Sequence, residues 1–216
     1  MAGLAALAFL GTKRAEAAGT ATPAMTADPN SSRSSRTALL TLDMQRDFLD
    51  GRGKLPVAAP QVNSLISTVN RLLEEAPKHG WVSVLVRNEY SPWDVSNIFR
   101  NFASLRGSVG AEFDPRLMRK AAAAEFSKTE GNAFSNPKLA PFLRSQDVHS
   151  VIITGVFADA CVTRTAVGAL NEGFRPVIVS DGVASGSVSS RDRALAALRD
   201  RGITVESSTS LLDGVG

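Results

Sequence analysis

Ser150-Val-Ile-Ile-Thr-Gly-Val-Phe-Ala-Asp-Ala-Cys-Val-Thr-Arg-Thr165 is the stretch whose reading decides the fold. Val148 to Thr154 is a short, nearly continuous apolar run, the pattern of a strand buried on both faces of a parallel sheet. From Cys161 onward, Val162, Ala166, Ala169 and Leu170 recur at helical spacing until Gly173. A buried strand therefore turns into a helix across residues 155–161. A helix start presents unpaired N–H groups and positive potential, which favour a thiolate. Cys161, the only cysteine among 216 residues, sits at that start. Position alone leaves two readings open: a nucleophile, or an inert buried thiol of the kind common in protein cores.

On either side of this stretch, short apolar runs alternate with amphipathic segments. Thr37–Leu42 reads as a first strand and Trp81–Val86 as a second, with a helix between them carrying Val62, Leu65, Ile66, Val69, Leu72 and Leu73 and ending at Gly80. Residues 88–111 have no clear period and read as a long loop with a short helix, a length often associated with function. Pro115–Phe126 reads as a short helix running into a strand that ends at Ser127-Lys128. Pro137 begins a helix through Leu143, Pro176–Ser180 is a further strand, Ser189 or Ser190 caps a helix ending at Gly202, and Ile203–Glu206 is the last strand. The alternation predicts an α/β fold: a doubly wound, mostly parallel sheet of about six strands with helices on both faces.

Composition narrows the function. With 44% hydrophobic and 21% charged residues, 37–216 reads as one domain large enough to bury its own core. The net charge is +3; setting aside the four basic and two acidic residues of 1–36 leaves 20 against 19, so the domain carries no electrostatic case for nucleic acid or a membrane surface. One cysteine forbids an internal disulfide, and with only His79 and His149 there is no zinc-ligand cluster. Residues 1–36 read as a flexible extension, a signal-like segment or a misplaced start: Gly3–Leu10 is apolar but too short to span a bilayer and lacks a preceding basic stretch. Cytoplasmic residence is the expectation, and export follows only if that segment is a signal.

In doubly wound sheets ligands bind beyond the C-terminal ends of the strands. Three of those ends lead to ionisable residues: Asp43, Lys128 and the turn before Cys161. A thiol nucleophile needs a proton acceptor and a group that stabilises its anion. Neither histidine is placed for this, since His79 lies at a helix end and His149 at the opposite edge of the sheet. Asp43 is the alternative base, and Lys128 is expected to lower the pKa of both Asp43 and Cys161. Taken singly, Asp43 also reads as a turn cap, Lys128 as a surface lysine and Asp159 as a helix N-cap. No dinucleotide or phosphate-loop fingerprint is present.

Leu39-Leu-Thr-Leu-Asp-Met-Gln-Arg-Asp-Phe48, Lys128-Thr-Glu-Gly-Asn-Ala-Phe134 and Gly155-Val-Phe-Ala-Asp-Ala-Cys-Val162 together resemble the signatures of the isochorismatase-like cysteine hydrolases, and the likeness runs from about Thr37 to Leu212. The resemblance implies Cys161 as nucleophile, Asp43 as general base, Lys128 as the orienting cation, a cis peptide between Val156 and Phe157, and an oxyanion hole from the N–H groups of Phe157 and Cys161. Ala158 departs from the threonine more usual there.

The family's metal-dependent nicotinamidases carry an Asp-x-His element after the second strand. Here Val86-Arg-Asn-Glu-Tyr90 has no histidine, so no metal and no other cofactor are expected. True isochorismatases generally lack the cysteine, so Cys161 favours hydrolysis of a C–N bond in a small amide, ureide or N-carbamoyl compound over cleavage of a vinyl ether; a non-catalytic binding relative is the remaining alternative. The resemblance also implies a homodimer or homotetramer. Phe48, Tyr90, Trp93 and Phe134 are candidate pocket walls and Arg87 a candidate partner for a substrate carboxylate.

Overall fold

The computed structural model describes residues 36–214. The expected extension over 1–36 lies, Arg36 apart, outside the described residues. Six strands, β1 (Arg36–Leu42), β2 (Val82–Asn88), β3 (Ala124–Lys128), β4 (Val148–Val156), β5 (Arg175–Ala184) and β6 (Thr204–Glu206), form one sheet. Every neighbouring pair is parallel and the order is β3-β2-β1-β4-β5-β6. The order reverses between β1 and β4, so their C-terminal ends flank the crevice where such sheets hold ligands.

Side chains alternate along each strand, and this alternation sorts the core into two layers. Leu40, Leu42, Val84, Val86, Val151 and Ile153 face α3 (Leu139–Ser145), α4 (Thr163–Asn171) and α5 (Val188–Asp200). Leu39, Leu85 and Ile152 face α2 (Ala59–Glu75), whose Leu65, Ile66, Val69, Leu72 and Leu73 form its buried stripe, together with the short α1 (Arg46–Leu49) and α6 (Ser208–Asp213). Each such leucine contributes roughly 1.5–3 kcal/mol by leaving water. Among the described residues no helix is long and apolar enough to cross a membrane.

Three local expectations are corrected. Pro115–Phe126 holds no α-helix before β3, only a 3-10 turn at Arg119–Ala121. Its backbone is claimed by other elements instead: the Asn70 side chain donates to the carbonyl of Arg116 and accepts from the N–H of Met118, and Ala123 donates to Ser83. The cap of α5 is Ser187, which accepts from the N–H of Ser190, rather than Ser189 or Ser190. Cys161 does not open a regular helix; it lies in a π-helical turn, Ala158–Val162, in which Val162 donates to the carbonyl of Phe157, and α4 follows.

Candidate active site

Four strand ends deliver the site. Asp43 follows β1, Asn88 and Lys128 end β2 and β3 in register with each other, and Cys161 lies in the turn after β4. β1 and β4 meet unusually closely: a Cβ on Gly155, whose φ is +109°, would fall 1.9 Å from the carbonyl oxygen of Leu42. Only glycine permits that approach, and it brings Asp43 beside the cysteine turn. Asp43 itself has φ +57°, a left-handed conformation that aspartate tolerates better than most residues, and its N–H is held by the carbonyl of Val86 at 2.8 Å.

The Lys128 ammonium ties the site together. Its Nζ donates to Asp43 Oδ2 at 2.9 Å, Asn88 Oδ1 at 2.7 Å and the carbonyl of Glu130 at 3.1 Å, and lies 3.5 Å from Cys161 Sγ. Asn88 Nδ2 approaches the same sulfur at 3.7 Å. Asp43, Lys128 and Cys161 are 0%, 3% and 6% exposed, so the three side chains meet in a nearly dry site. The second carboxylate oxygen of Asp43, Oδ1, is buried without a hydrogen-bond partner, and the Cys161 thiol is close enough to bear on the ionisation of that carboxyl.

Burial dominates the electrostatics of the site. Burial raises the Asp43 carboxyl above its ordinary value, and the opposing charge and hydrogen bond of Lys128 do not cancel this. Burial also pushes the Cys161 thiol up to about 11; the Asp43 charge adds to the rise, against Lys128 and Asn88. Lys128 does act to lower both groups, yet both end above their ordinary values. Desolvation outweighs it, and the resting thiol is protonated at neutral pH.

The other motif residues hold this arrangement. Gln45 clamps the end of β2, donating to the carbonyls of Asn88 and Ala111, both at 2.8 Å, and accepting from the N–H of Asn88 at 2.9 Å. Asp47 accepts from the N–H groups of Lys54 and Ser104 and so gathers two loops behind the site. The Val156–Phe157 peptide is cis, and the Phe157 N–H has no hydrogen-bond partner among the described residues. Ala158 packs into the core, and its carbonyl accepts from the hydroxyl of Thr163 at 2.6 Å. Asp159 is not a helix cap; it accepts from the hydroxyl of Ser185 at 2.7 Å. Both histidines lie away from this site, His79 stacked on Trp81 and His149 bonded to the carbonyl of Asp147.

Above the thiol lies a cavity of about 460 Å³. Phe48, packed edge-on to Phe157 at 5.4 Å, and Tyr90 line it. Arg87, Trp93 and Phe134 do not. Arg87 alternates with Asn88 along β2 and so projects to the opposite side, paired with Glu89 at 3.0 Å and lying over the ring of Phe113. Trp93 is 91% exposed on the outside of its loop. Phe134 stacks on Phe174 in the core, 5.6 Å between ring centres. Asn88, Gln45 and Asp47 escaped the sequence reading as site residues; a polar residue at the end of an otherwise apolar strand was the available signal for Asn88.

The cavity does not fit a bound metal. Asn88, at the end of β2, is committed to Lys128 and Cys161, and Tyr90 lies under the guanidinium of Arg100 at 3.9 Å. Among the described residues no three His, Cys, Asp or Glu side chains gather as a ligand set.

Residues 37–210 match the family described as the isochorismatase domain. The nicotinamidase of Escherichia coli (strain K12) is 26% identical over 188 residues, covering 73% of this chain and 87% of that protein. The N-carbamoylsarcosine amidase of an Arthrobacter species is 26% identical over 133 residues, 57% of this chain and 50% of that protein. The crystal structure of an isochorismatase-like hydrolase from Alkaliphilus metalliredigens superposes with a TM-score of 0.77 at 21% identity, covering 84% of this chain and all of that one. With its fold, its strand-end site and this match over most of its length in agreement, the chain belongs to the isochorismatase domain family.

Proposed function

We propose that this protein is a cysteine-dependent hydrolase of a C–N bond in a small molecule, an amide, ureide or N-carbamoyl compound, acting through a thioester on Cys161. The reading rests on one observation above all: a thiol that lines a cavity of substrate size lies against a buried pair of carboxyl and amine, Asp43 and Lys128. That two curated relatives are named as amidases supports the bond type.

The raised pKa values shape the steps. A thiol near 11 supplies little thiolate at neutral pH, so it needs a base in contact, and Asp43, itself raised, is a better proton acceptor than an ordinary carboxylate. Asp43 takes the thiol proton as Sγ attacks the carbonyl carbon. The carbonyl electron pair moves to oxygen, where the N–H groups of Phe157 and Cys161 act as donors. Collapse expels the amine, which takes the proton from Asp43. Water then loses a proton to Asp43 and attacks the thioester; the C–S bond breaks and the sulfur recovers that proton, leaving the acid product and the starting enzyme. Lys128 keeps the carboxylate oriented and compensates the negative charge that passes from carboxylate to sulfur.

The test is a panel of small amides and N-carbamoyl compounds scored for ammonia or amine release, with acid-quenched enzyme weighed by mass spectrometry. The expected result is release together with an acyl adduct located on Cys161. Turnover with no adduct at Cys161, and undiminished turnover after that residue is removed, would overturn the covalent route.

A further inference from the structure

We propose that Arg164 is the anion-binding residue of the cavity, so that the compound cleaved carries a carboxylate or a similar singly charged anion at the end remote from the scissile bond. The proposal rests on the C–N hydrolase reading above and names the substrate class for that same site.

The charges lining the cavity divide into spent and unspent. Asp94 and Arg100 neutralise each other, with Nη2 of Arg100 2.5 Å from Asp94 Oδ2 and 3.2 Å from Asn97 Oδ1, while the guanidinium lies flat over Tyr90. Nε of Arg100 is buried without a hydrogen-bond partner, but its charge is already paired. Arg164 also lines the cavity, one helical turn beyond Cys161, and has no hydrogen-bond or ion-pair partner among the described residues. An unpaired guanidinium beside a reacting thiol is a ready fork for a carboxylate.

Its position is built rather than incidental. A Cβ at residue 131 would fall 2.6 Å from both Cδ and Nη1 of Arg164, so the side chain rests on the bare backbone of Gly131. The loop after Lys128 thus seats the arginine, and the same loop is fastened to α4 by the N–H of Ala133, which donates to the hydroxyl of Thr165 at 3.0 Å. Tyr90 adds a neutral donor. Its hydroxyl has no partner among the described residues, and burial, then the charges of Cys161 and Asp43, hold it protonated well above the usual tyrosine range, while Arg100 and Arg164 oppose this.

Two features limit the ligand. Glu130 lines the same cavity without an ion-pair partner among the described residues, so a second negative charge on the ligand would be repelled. An adjoining groove shares Glu130, Gly131 and Arg164 and also holds Arg201, which makes the groove the competing place for Arg164 to act.

The experiment uses two matched pairs, succinamate and its methyl ester, and 3-carbamoylbenzoate and its methyl ester. For each, kcat/KM is measured, together with protection of Cys161 from iodoacetamide by the unreacted compound. The acid is expected to exceed its ester at least tenfold, and Arg164→Met should lower that ratio about tenfold to a hundredfold, mostly through KM, as for a lost charge-assisted hydrogen bond. Gly131→Ala should reproduce the fall by displacing the arginine, Arg164→Lys should restore part of it, and Glu130→Gln should raise the ratio.

A ratio unchanged in Arg164→Met, or Cys161 protected equally by acid and ester in both proteins, would overturn the proposal and leave Arg164 to the adjoining groove. The protection arm separates the two readings. If no compound is hydrolysed but acids alone protect Cys161, and only with Arg164 present, the anion site stands and the hydrolase reading falls.

Discussion

The floor and the outer wall of the cavity are built on opposite terms. The floor, where Asn88 and Cys161 line the cavity with Asp43 and Lys128 behind them, is built at strand ends whose positions are fixed by the sheet, whose side chains are buried, and whose hydrogen bonds are made largely with one another. The wall, from Tyr90 to Arg100, is a connecting segment that ends in a 3-10 helix, Val95–Arg100; its Asp94, Ser96 and Arg100 look inward while Trp93, Val95, Ile98 and Phe99 lie exposed. A reaction centre tolerates little displacement and belongs on rigid elements, whereas recognition is readily placed on connecting segments. The contrast teaches that substitutions at the floor should act on chemistry and folding, and those on the outside of the wall on neither.

The sharpest break should come from Cys161→Ala. Removing the nucleophile of the proposed covalent route should cost on the order of 10⁵–10⁶-fold in kcat, while circular dichroism and the thermal midpoint stay near the parent values because the thiol makes only two long polar contacts, to Asn88 and Lys128. Asp43→Asn should follow, with a loss of about 10²–10⁴-fold in kcat/KM. In the parent protein kcat/KM should decline as pH falls through the Asp43 pKa, because the base is then protonated. Since burial raises that pKa, this acid limb should lie above the 3.8 of an ordinary aspartate. A limb at or below 3.8 would contradict the environment described.

Lys128→Met separates folding from chemistry. It leaves the carboxylate of Asp43 buried and unpaired, an effect of about 3–5 kcal/mol in urea unfolding. Asp43→Asn/Lys128→Met, with both charges gone, should recover much of that stability and none of the activity; additive losses in the double variant would contradict a paired origin. At the bottom of the scale, Phe99→Ser on the outside of the wall should change stability by no more than about 0.5 kcal/mol and leave kcat unaltered.

What the sequence disclosed follows the same division. β1 and β4 were readable because strands buried on both faces must be almost wholly apolar, and the polar residues that follow them stood out against that background. Gly155 was readable as part of a motif, but its reason, the close approach to Leu42, is a property of two strands lying side by side. A polar residue after an apolar strand marks Asn88 as a strand end, but only the register of β2 against β3 sets it beside Lys128. Arg87 reads from the sequence as a partner for a substrate anion, and Arg164 is not singled out, for a similar reason. One residue of slip along a strand moves a side chain to the other face, while the seat for Arg164 is supplied by Gly131, a residue of another loop. The raised pKa values were hidden too, since charge type shows in a sequence and depth of burial does not.

The central claim is that a neutral, buried thiol is discharged by Asp43 rather than resting as a thiolate beside Lys128. The rate of Cys161 alkylation by iodoacetamide against pH, in the parent protein and in Asp43→Asn, tests it most directly. The account predicts a thiolate midpoint near 11 in the parent and a lower one in the variant, because the carboxylate's charge contributes to holding the proton on sulfur. A parent midpoint well below the ordinary 9.0 of a free thiol, or one that Asp43→Asn leaves in place, would contradict it.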